Sequence, residues 1–424
     1  MARVLCAGHA VSGLELGALT YLPGGSKTCQ RPGTGQGLPA ARALVFRAVQ
    51  AANRGTGRAG AVDTVQRVLT SVEPLDAGTF WQAVMVLTHA DEVASAYRYW
   101  AAAAGSGRWR PAGRDRDVHD LLGGRITLRR GDPRAAVRLL DGALGRGVRP
   151  RLRAVAVAWL VSALVEGGEL DRARAVLEAE RMAGALAEHP DSAEVYFARG
   201  RLLLAEGQAA AALDEFLECG RRLGTWGVVN PAVLPWRSSA ALAAADSGDL
   251  LLARICADKD LVAARRWGGP RGIGLGLHAC ALAAGGDDVL LEEAITYLGR
   301  ASSAGEALRA RHDLAQLLLA RGEIERARKH TRLLREAAAD ASCAQWTQAV
   351  DVLASRLLRN DGESTLSRQE RRIALLARAG RSNREIAAEL SLTLRTVEFH
   401  LTAVYRKMGV AGRPGLRRAF VPTA

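Results

Sequence analysis

Residues 364–412 read STLSRQERRIALLARAGRSNREIAAELSLTLRTVEFHLTAVYRKMGVAG, and this stretch decides the fold of the C-terminal part of the chain. It contains two S-x-x-E patterns, Ser367 with Glu370 and Ser382 with Glu385. In a capping box of this kind, each side chain satisfies a backbone amide at a helix start. The two patterns therefore predict the beginnings of two successive helices.

The apolar spacing and the helix ends complete a pattern of three helices. Gly380 stands where a left-handed residue would end the first helix, and Thr393 can cap the third. Gly409 is placed to end that third helix. Apolar residues recur along it at steps of four, three and four: Val397, Leu401, Val404 and Met408. A short helix, a tight turn and a longer helix predict a helix-turn-helix.

The other face of the third helix has the composition of a helix that lies in the major groove of DNA. It carries Arg395, Glu398, Phe399, Thr402 and Arg406. Glutamate can accept a hydrogen bond from cytosine N4, threonine can bond either way, and an apolar side chain can contact the thymine methyl group. Basic side chains instead bind phosphates, which position a protein without reading sequence. The alternative for Glu398 is a solvated charge without a base contact.

The charge distribution supports a nucleic-acid partner for this part of the chain. Residues 364–424 contain twelve Lys and Arg against four Glu, a net charge of +8, whereas the whole chain of 424 residues has +14. Local basicity of this kind is expected where a protein binds nucleic acid.

Four short motifs resemble the C-terminal DNA-binding domain of LuxR-type transcriptional regulators. They are L-[ST]-x-x-E at 366–370, G-x-[ST]-N-[KR]-E-I-A at 380–387, T-V-x-x-H-L at 396–401 and Y-R-K-[LM]-G-V at 405–410. The resemblance implies a four-helix domain in which Glu398, Phe399 and Thr402 read bases. The residues expected to contact the DNA backbone are Asn383, Arg384, Arg395, Thr396, Arg406 and Lys407.

The same resemblance implies partners. It predicts double-stranded promoter DNA as the target and a fourth helix near Gly412 that supports a homodimer. Two recognition helices would then lie about one DNA turn apart. Members of the family commonly activate transcription and contact RNA polymerase, so an activator is expected.

A second pattern repeats between residues 40 and 358: a glycine, with an alanine five positions later. The clear copies are Gly131 with Ala136, Gly168 with Ala173, Gly207 with Ala212, Gly248 with Ala253 and Gly322 with Ala327. Asp91 with Ala96 is a weaker copy, and Gly286 with Ala294 a degenerate one. Successive glycines lie 37, 39, 41, 38 and 36 residues apart. Each copy predicts helix, turn and helix, and periods near forty are typical of α-solenoids.

These repeats resemble tetratricopeptide repeats, whose concave surface takes a protein or small-molecule partner. Repeats followed by a LuxR-type domain resemble the large ATP-binding, MalT-like regulators. The N-terminal NTPase module of those proteins has no counterpart in this sequence, so ATP binding is not expected. The predicted fold is all-α: an unassigned leader at 1–39, a TPR-like α-solenoid at 40–358, a linker at 359–365 and a LuxR-type domain at 366–424.

Other classes of function lack support in the sequence. Gly24–Thr28 resembles the end of a phosphate loop, but Ser26 replaces the glycine before the lysine. No catalytic, cofactor-binding or metal-binding residues are predicted. The six cysteines are scattered and predict reduced thiols in a cytoplasmic protein. No apolar run approaches the ~20 residues of a membrane span.

The hypothesis from sequence is therefore a DNA-binding transcriptional activator whose repeats sense a partner or ligand. The alternative is a helical-repeat interaction scaffold in which the helix-turn-helix no longer binds DNA.

Overall fold

A computed structural model describes residues 40–71, 75–103, 115–180, 192–301, 303–340, 344–364, 366–408 and 410–419. Within these ranges every regular element is an α-helix, and there are twenty-one. The all-α prediction is thus confirmed. Two compact units divide the chain. The first extends to Ala310, and the second comprises Arg311–Asp340 and the chain from Gln345 onward.

Fourteen helices lie in the first unit, and they are arranged mostly as antiparallel pairs. They are α1 Ala40–Arg54, α2 Arg58–Thr70, α3 Ala77–His89, α4 Val93–Ala103, α5 Arg116–Arg129, α6 Pro133–Arg146, α7 Pro150–Gly167, α8 Leu170–Ala179, α9 Ser192–Ala205, α10 Ala209–Thr225, α11 Trp236–Asp246, α12 Leu250–Trp267, α13 Pro270–Ala283 and α14 Asp288–Arg300. The next helix, α15 Ala304–Ala320, begins in the first unit and ends in the second.

The second unit continues with six helices. They are α16 Ile324–Asp340, α17 Ala344–Ser364, α18 Arg368–Arg378, α19 Asn383–Glu389, α20 Leu394–Lys407 and α21 Gly412–Ala419. The sequence predicted a linker at 359–365, but α17 continues through Ser364. The leader at 1–39 and the helix end at Gly409 lie outside the described residues.

The recurring glycine ends one helix and starts the next, as the sequence predicts. The φ angle is +83° at Gly131, +81° at Gly168 and +62° at Asp91, all in the left-handed region that favours glycine. After Gly168, the Glu169 amide donates back to the Leu164 carbonyl at 2.9 Å. The Glu169 carbonyl then accepts from the Ala173 amide at 3.0 Å. A helix end and a helix start therefore share one residue.

The alanine of each copy lies in the first two turns of the second helix of a pair. All seven alanines are completely buried: Ala96, Ala136, Ala173, Ala212, Ala253, Ala294 and Ala327. A larger side chain at these positions would have to move its neighbours, because protein cores are close-packed. The repeat pattern thus marks both the turn and a buried position just after it.

Some helices approach even more closely at glycines, and Gly276 on α13 gives a test of this packing. A Cβ atom at Gly276 would lie 2.9 Å from the Cα atom of Leu261 on α12. Because backbone cannot move aside cheaply, we expect Gly276→Ala to lower the free energy of unfolding by about 2 kcal/mol. The measurement is urea unfolding followed by tryptophan fluorescence.

Gly299→Ala is the matched control, since Gly299 is also helical and has no atom within 4 Å of the added Cβ. Alanine has the better helix propensity, so this variant should be unchanged or more stable by up to about 1 kcal/mol. Equal destabilisation by the two changes would contradict the close approach of α12 and α13.

Within the first unit, the early and late repeats are joined directly. The Asn230 side-chain amide donates to the Ala52 carbonyl at 2.7 Å. The Trp267 indole donates to the His89 carbonyl at 2.9 Å, and the Arg271 backbone amide donates to Asp91 at 2.9 Å. Trp267 is buried in the same hydrophobic core as helices α1–α7. Helices far apart in the sequence therefore share one interior.

Across the described ranges, no helix is both long and apolar enough to cross a membrane.

Candidate nucleic-acid interface

Capping hydrogen bonds hold the three helices that carry the candidate interface. The Ser367 amide donates to Glu370 Oε2 at 2.6 Å, and the Glu370 amide donates to Ser367 Oγ at 3.2 Å. Ser382 and Glu385 form the same reciprocal pair at 2.6 and 3.3 Å. Both predicted capping boxes are confirmed. The Ser382 amide also holds the pKa of the Glu385 carboxyl below its usual range.

The ends of the helices also agree with the sequence. Gly380 has φ +90° and follows α18. Thr393 Oγ1 accepts from the Thr396 amide at 3.1 Å and so caps α20. Ser391, in the turn between α19 and α20, is a non-glycine residue with φ +53°. The tight turn needs this left-handed residue because it reverses the chain within a few positions.

A small core fixes the angle between α19 and α20. Its buried residues include the predicted inner stripe of α20, namely Val397, Leu401, Val404 and Met408. Ile373 from α18, Ile386 from α19 and Leu416 from α21 complete it. Ala387 is small at the point where α19 must approach α20. One face of α20 is therefore committed to packing, and the opposite face lies in solvent.

That solvent face carries the three predicted base-reading side chains. Glu398, Phe399 and Thr402 are all exposed, Phe399 by 72%. The Thr402 hydroxyl donates to the Glu398 carbonyl at 2.9 Å, so its oxygen remains an acceptor. Leaving an aromatic ring in water forgoes roughly 1.5–3 kcal/mol of burial energy. The solvent face of α20 therefore presents an aromatic ring, a carboxylate and a hydroxyl side by side.

Three of the six predicted backbone-contacting residues are exposed arginines beside this face. Arg384 lies on α19, and Arg395 and Arg406 lie near the two ends of α20. Among the described residues, none of the three forms an ion pair. Unpaired guanidinium groups at such positions can bind phosphate oxygens in a bidentate manner.

The other three predicted backbone contacts have partners within the domain. The Asn383 side-chain oxygen Oδ1 accepts from the Arg413 guanidinium of α21, which also donates to the Arg381 backbone carbonyl. The Thr396 hydroxyl shares a 2.7 Å hydrogen bond with Thr393 Oγ1. The Asn383 amide group can still donate to a phosphate. The sequence did not predict the role of Arg413, because the contact joins residues thirty positions apart.

Lys407 is also engaged within the domain. Its ammonium group donates to both carboxylate oxygens of Glu370, at 2.7 and 2.9 Å. This hydrogen bond, with that from the Ser367 amide, lowers the pKa of the buried Glu370 carboxyl. This ion pair connects the end of α20 to the start of α18. Phosphate contact by Lys407 stays a prediction.

Lys407→Met should remove the ion pair with Glu370 and raise the pKa of the Glu370 carboxyl, as measured by carbon NMR of that group. A carboxyl with a lowered folded-state pKa stabilises the fold above its unfolded pKa, and this stability is lost as the pH falls. The variant should therefore begin acid unfolding of the domain at a higher pH than wild type. Arg406→Met, which removes a neighbouring charge without an ion pair, is the control and should leave the Glu370 titration in place.

A helix-turn-helix with an exposed basic face is the geometry that DNA-binding domains of this kind use. Residues 364–419 match the family described as "Bacterial regulatory proteins, luxR family". The C-terminal segment is thus a LuxR-family helix-turn-helix domain, as the sequence motifs predict. The match covers this domain and not the repeats.

The repeats are similar in fold to a solved Rap protein. The structure of a Rap protein complexed with Competence and Sporulation Factor superposes with a TM-score of 0.55 at 14% identity. The match covers 72% of this chain and 89% of the Rap chain. The match to the apo form of RapI covers 88% of this chain and 99% of the RapI chain at 11% identity, with a TM-score of 0.32. Curated protein sequences yield no match.

Metal and disulfide chemistry have no visible site in the part of the chain that the structure describes. No group of three His, Cys, Asp or Glu side chains there could hold a metal ion. Cys219, Cys256 and Cys280 are free thiols, and burial raises the pKa of each.

Proposed function

We propose that the chain is a cytoplasmic, DNA-binding transcriptional activator whose helical repeats bind a regulatory partner or ligand. The observation that carries this proposal is the exposed face of α20 in a LuxR-family domain, where Glu398, Phe399 and Thr402 stand between unpaired arginines. The chain would act by binding rather than by catalysis.

In this proposal, α20 enters the major groove and the arginines bind phosphates on either side. The Glu398 carboxylate and the Thr402 oxygen both accept hydrogen bonds. In the major groove, the donors they can meet are cytosine N4 and adenine N6. Phe399 supplies the apolar contact to a thymine methyl group. This face of α20 thus favours a DNA site that presents cytosine or adenine amino groups and a thymine methyl group. It disfavours a site that presents only hydrogen-bond acceptors.

The remaining parts of the proposal concern partners. α21 would support a homodimer, and the bound activator would contact RNA polymerase. The repeats share their fold with a Rap protein that was solved with a bound factor. That likeness supports a binding role for the repeats.

The decisive experiment is fluorescence anisotropy of the purified chain on duplexes from upstream of its own gene and its neighbours, over a salt series. A scrambled duplex of the same composition is the control. Tighter binding to one native fragment that persists at physiological salt is expected. Equal and steeply salt-dependent binding to all duplexes reports backbone attraction alone. No binding to any duplex would favour the interaction scaffold instead.

With a bound fragment identified, Thr402→Ala tests the reading face. We expect the preference at one base position to fall by about tenfold, while the affinity for scrambled DNA stays unchanged. The check is anisotropy on a set of single-base variants of the fragment. Equal loss on every sequence would contradict a base-reading role for Thr402.

A further inference from the structure

The interior of the first unit contains a polar cavity that the DNA-binding role does not use. It has a volume of about 40 Å³ and belongs to a wider space of about 490 Å³ that includes open solvent. Helices α5, α7, α9 and α13 and the start of α15 contribute to its lining. The charged lining residues are Arg125, Arg129, Arg201, Arg271, Glu166 and Glu306.

Cations outnumber anions around this cavity. Arg271 binds Glu306 through two nitrogens, with Nε to Oε2 at 2.8 Å. Arg129 pairs with Asp91 at 2.9 Å, whereas Arg201 reaches Glu166 only at 3.5 Å. Four guanidinium groups therefore face three carboxylates.

The protonation behaviour of the cluster points the same way. Burial, followed by the charge of Arg271, lowers the pKa of Arg129 to about 10. Burial also raises the pKa of the Glu166 carboxyl. An anion bound beside Arg129 would offset the repulsion between Arg129 and Arg271.

A second observation, independent of the arginines, lies at the start of α15. Ser303 is 6% exposed, and its hydroxyl has no hydrogen-bond partner. Ser303 and Glu306 form another S-x-x-E pattern, but here the Glu306 carboxylate binds Arg271. A buried hydroxyl without a partner costs about 1–3 kcal/mol. The first turn of a helix also favours a negative charge, because its backbone amides point outward.

We propose that this cavity binds a carboxylate group, with the Ser303 hydroxyl and the Arg201 guanidinium as donors. A bound water needs roughly 10–15 Å³ of such space, so the cavity of about 40 Å³ has room for the three non-hydrogen atoms of a carboxylate. Phosphate, with five non-hydrogen atoms, is the larger anion used for comparison below. The proposal rests on the sensing role proposed for the repeats and names the chemistry of its ligand. The carboxylate can belong to a small acid or to the C-terminus of a peptide.

Binding of defined probes to the purified full chain tests this without DNA, so failure would leave the DNA-binding proposal standing. The probes are acetate, inorganic phosphate, tetra-alanine with a free C-terminus and tetra-alanine amide. Thermal unfolding and calorimetric titration measure binding. We expect at least one carboxylate probe to bind and to raise the unfolding temperature, with phosphate and the amide inactive. Acetate binding without peptide binding identifies a small acid, and tighter peptide binding identifies a C-terminus.

Two variants locate the site. Ser303→Ala should leave the unliganded chain at least as stable as wild type, since it removes a buried hydroxyl without a partner, and should weaken the active probe about tenfold. Arg201→Gln should weaken that probe by tenfold or more. Arg199→Gln is the matched control, because Arg199 lies on the same helix, is 31% exposed against 28% for Arg201 and pairs with Glu215 outside the cavity.

Three results would overturn the proposal. They are the absence of saturable binding by every carboxylate probe, binding of the peptide amide as tight as that of the free peptide where the free peptide binds, and wild-type affinity in Ser303→Ala.

Discussion

Replacing Arg384, Arg395 and Arg406 together by glutamine should weaken binding to every duplex by about 100-fold at physiological salt. Each arginine is exposed and none forms an ion pair among the described residues, so all three are available to phosphates. For each phosphate that is no longer neutralised, the slope of log affinity against log salt becomes shallower by about 0.9. The slope of the triple variant should therefore be shallower than that of wild type by about 2.7, as measured by anisotropy over a salt series.

A second triple variant separates these phosphate contacts from overall charge. Arg153, Arg174 and Arg221 lie on the repeats, and each pairs with a glutamate. Their side chains are 45%, 48% and 66% exposed, so their removal should cost little stability. Changing them to glutamine removes the same three charges. This variant should keep wild-type affinity and salt slope. Equal weakening by both triples would mean that the net charge of the chain, and not the face of α20, attracts DNA.

The sequence predicts the helix ends well because their causes are local. The two capping boxes, the left-handed glycines and the buried alanines each depend on residues within five positions of one another. The linker predicted at 359–365 is instead helical through Ser364. Asp361–Ser364 has a polar, glycine-containing composition typical of a linker, yet the helix runs through it. Composition alone does not end a helix.

Contacts across long separations could not be predicted. Lys407 reaches Glu370 over thirty-seven positions, and Arg413 reaches Asn383 over thirty. Trp267 reaches the His89 carbonyl over 178. Such contacts depend on how the helices cross and how far the repeats turn, and the repeat period fixes neither. The cavity at Ser303 is also lined by helices that are far apart in the sequence, so no sequence motif predicts it.

Asp260 on α12 is an almost completely buried carboxyl in the first unit. It is 1% exposed, and one carboxylate oxygen accepts from the Ser238 amide at 3.1 Å and from the Ser238 hydroxyl. The other oxygen has no hydrogen-bond partner. Burial raises the pKa of Asp260 to about 6, although Ser238, Arg237 and Arg271 act in the opposite direction. The fold therefore holds the proton of Asp260 more tightly than the unfolded chain does.

The sign of the resulting pH dependence follows from this difference. Because the folded chain binds the proton more tightly, the Asp260 contribution to stability falls as the pH rises from about 4 to about 6 and is constant above that. At pH 7.5 the ionised Asp260 carboxylate lowers the free energy of unfolding by about 3 kcal/mol compared with the protonated carboxyl below pH 4. At pH 5 the reduction is only about half as large. Asp260→Asn cannot ionise and should lose this dependence.

The test is urea unfolding at pH 5 and pH 7.5, followed by tryptophan fluorescence. For each protein, the free energy of unfolding at pH 7.5 is subtracted from that at pH 5. This difference should be larger for wild type than for Asp260→Asn by about 1–2 kcal/mol. Asp258→Asn, exposed on the same helix, controls for the loss of one negative charge and should follow wild type. The same pH difference in wild type and Asp260→Asn would show that Asp260 is already ionised at pH 5. Its carboxylate would then be stabilised by Ser238 and the neighbouring arginines more strongly than burial opposes it.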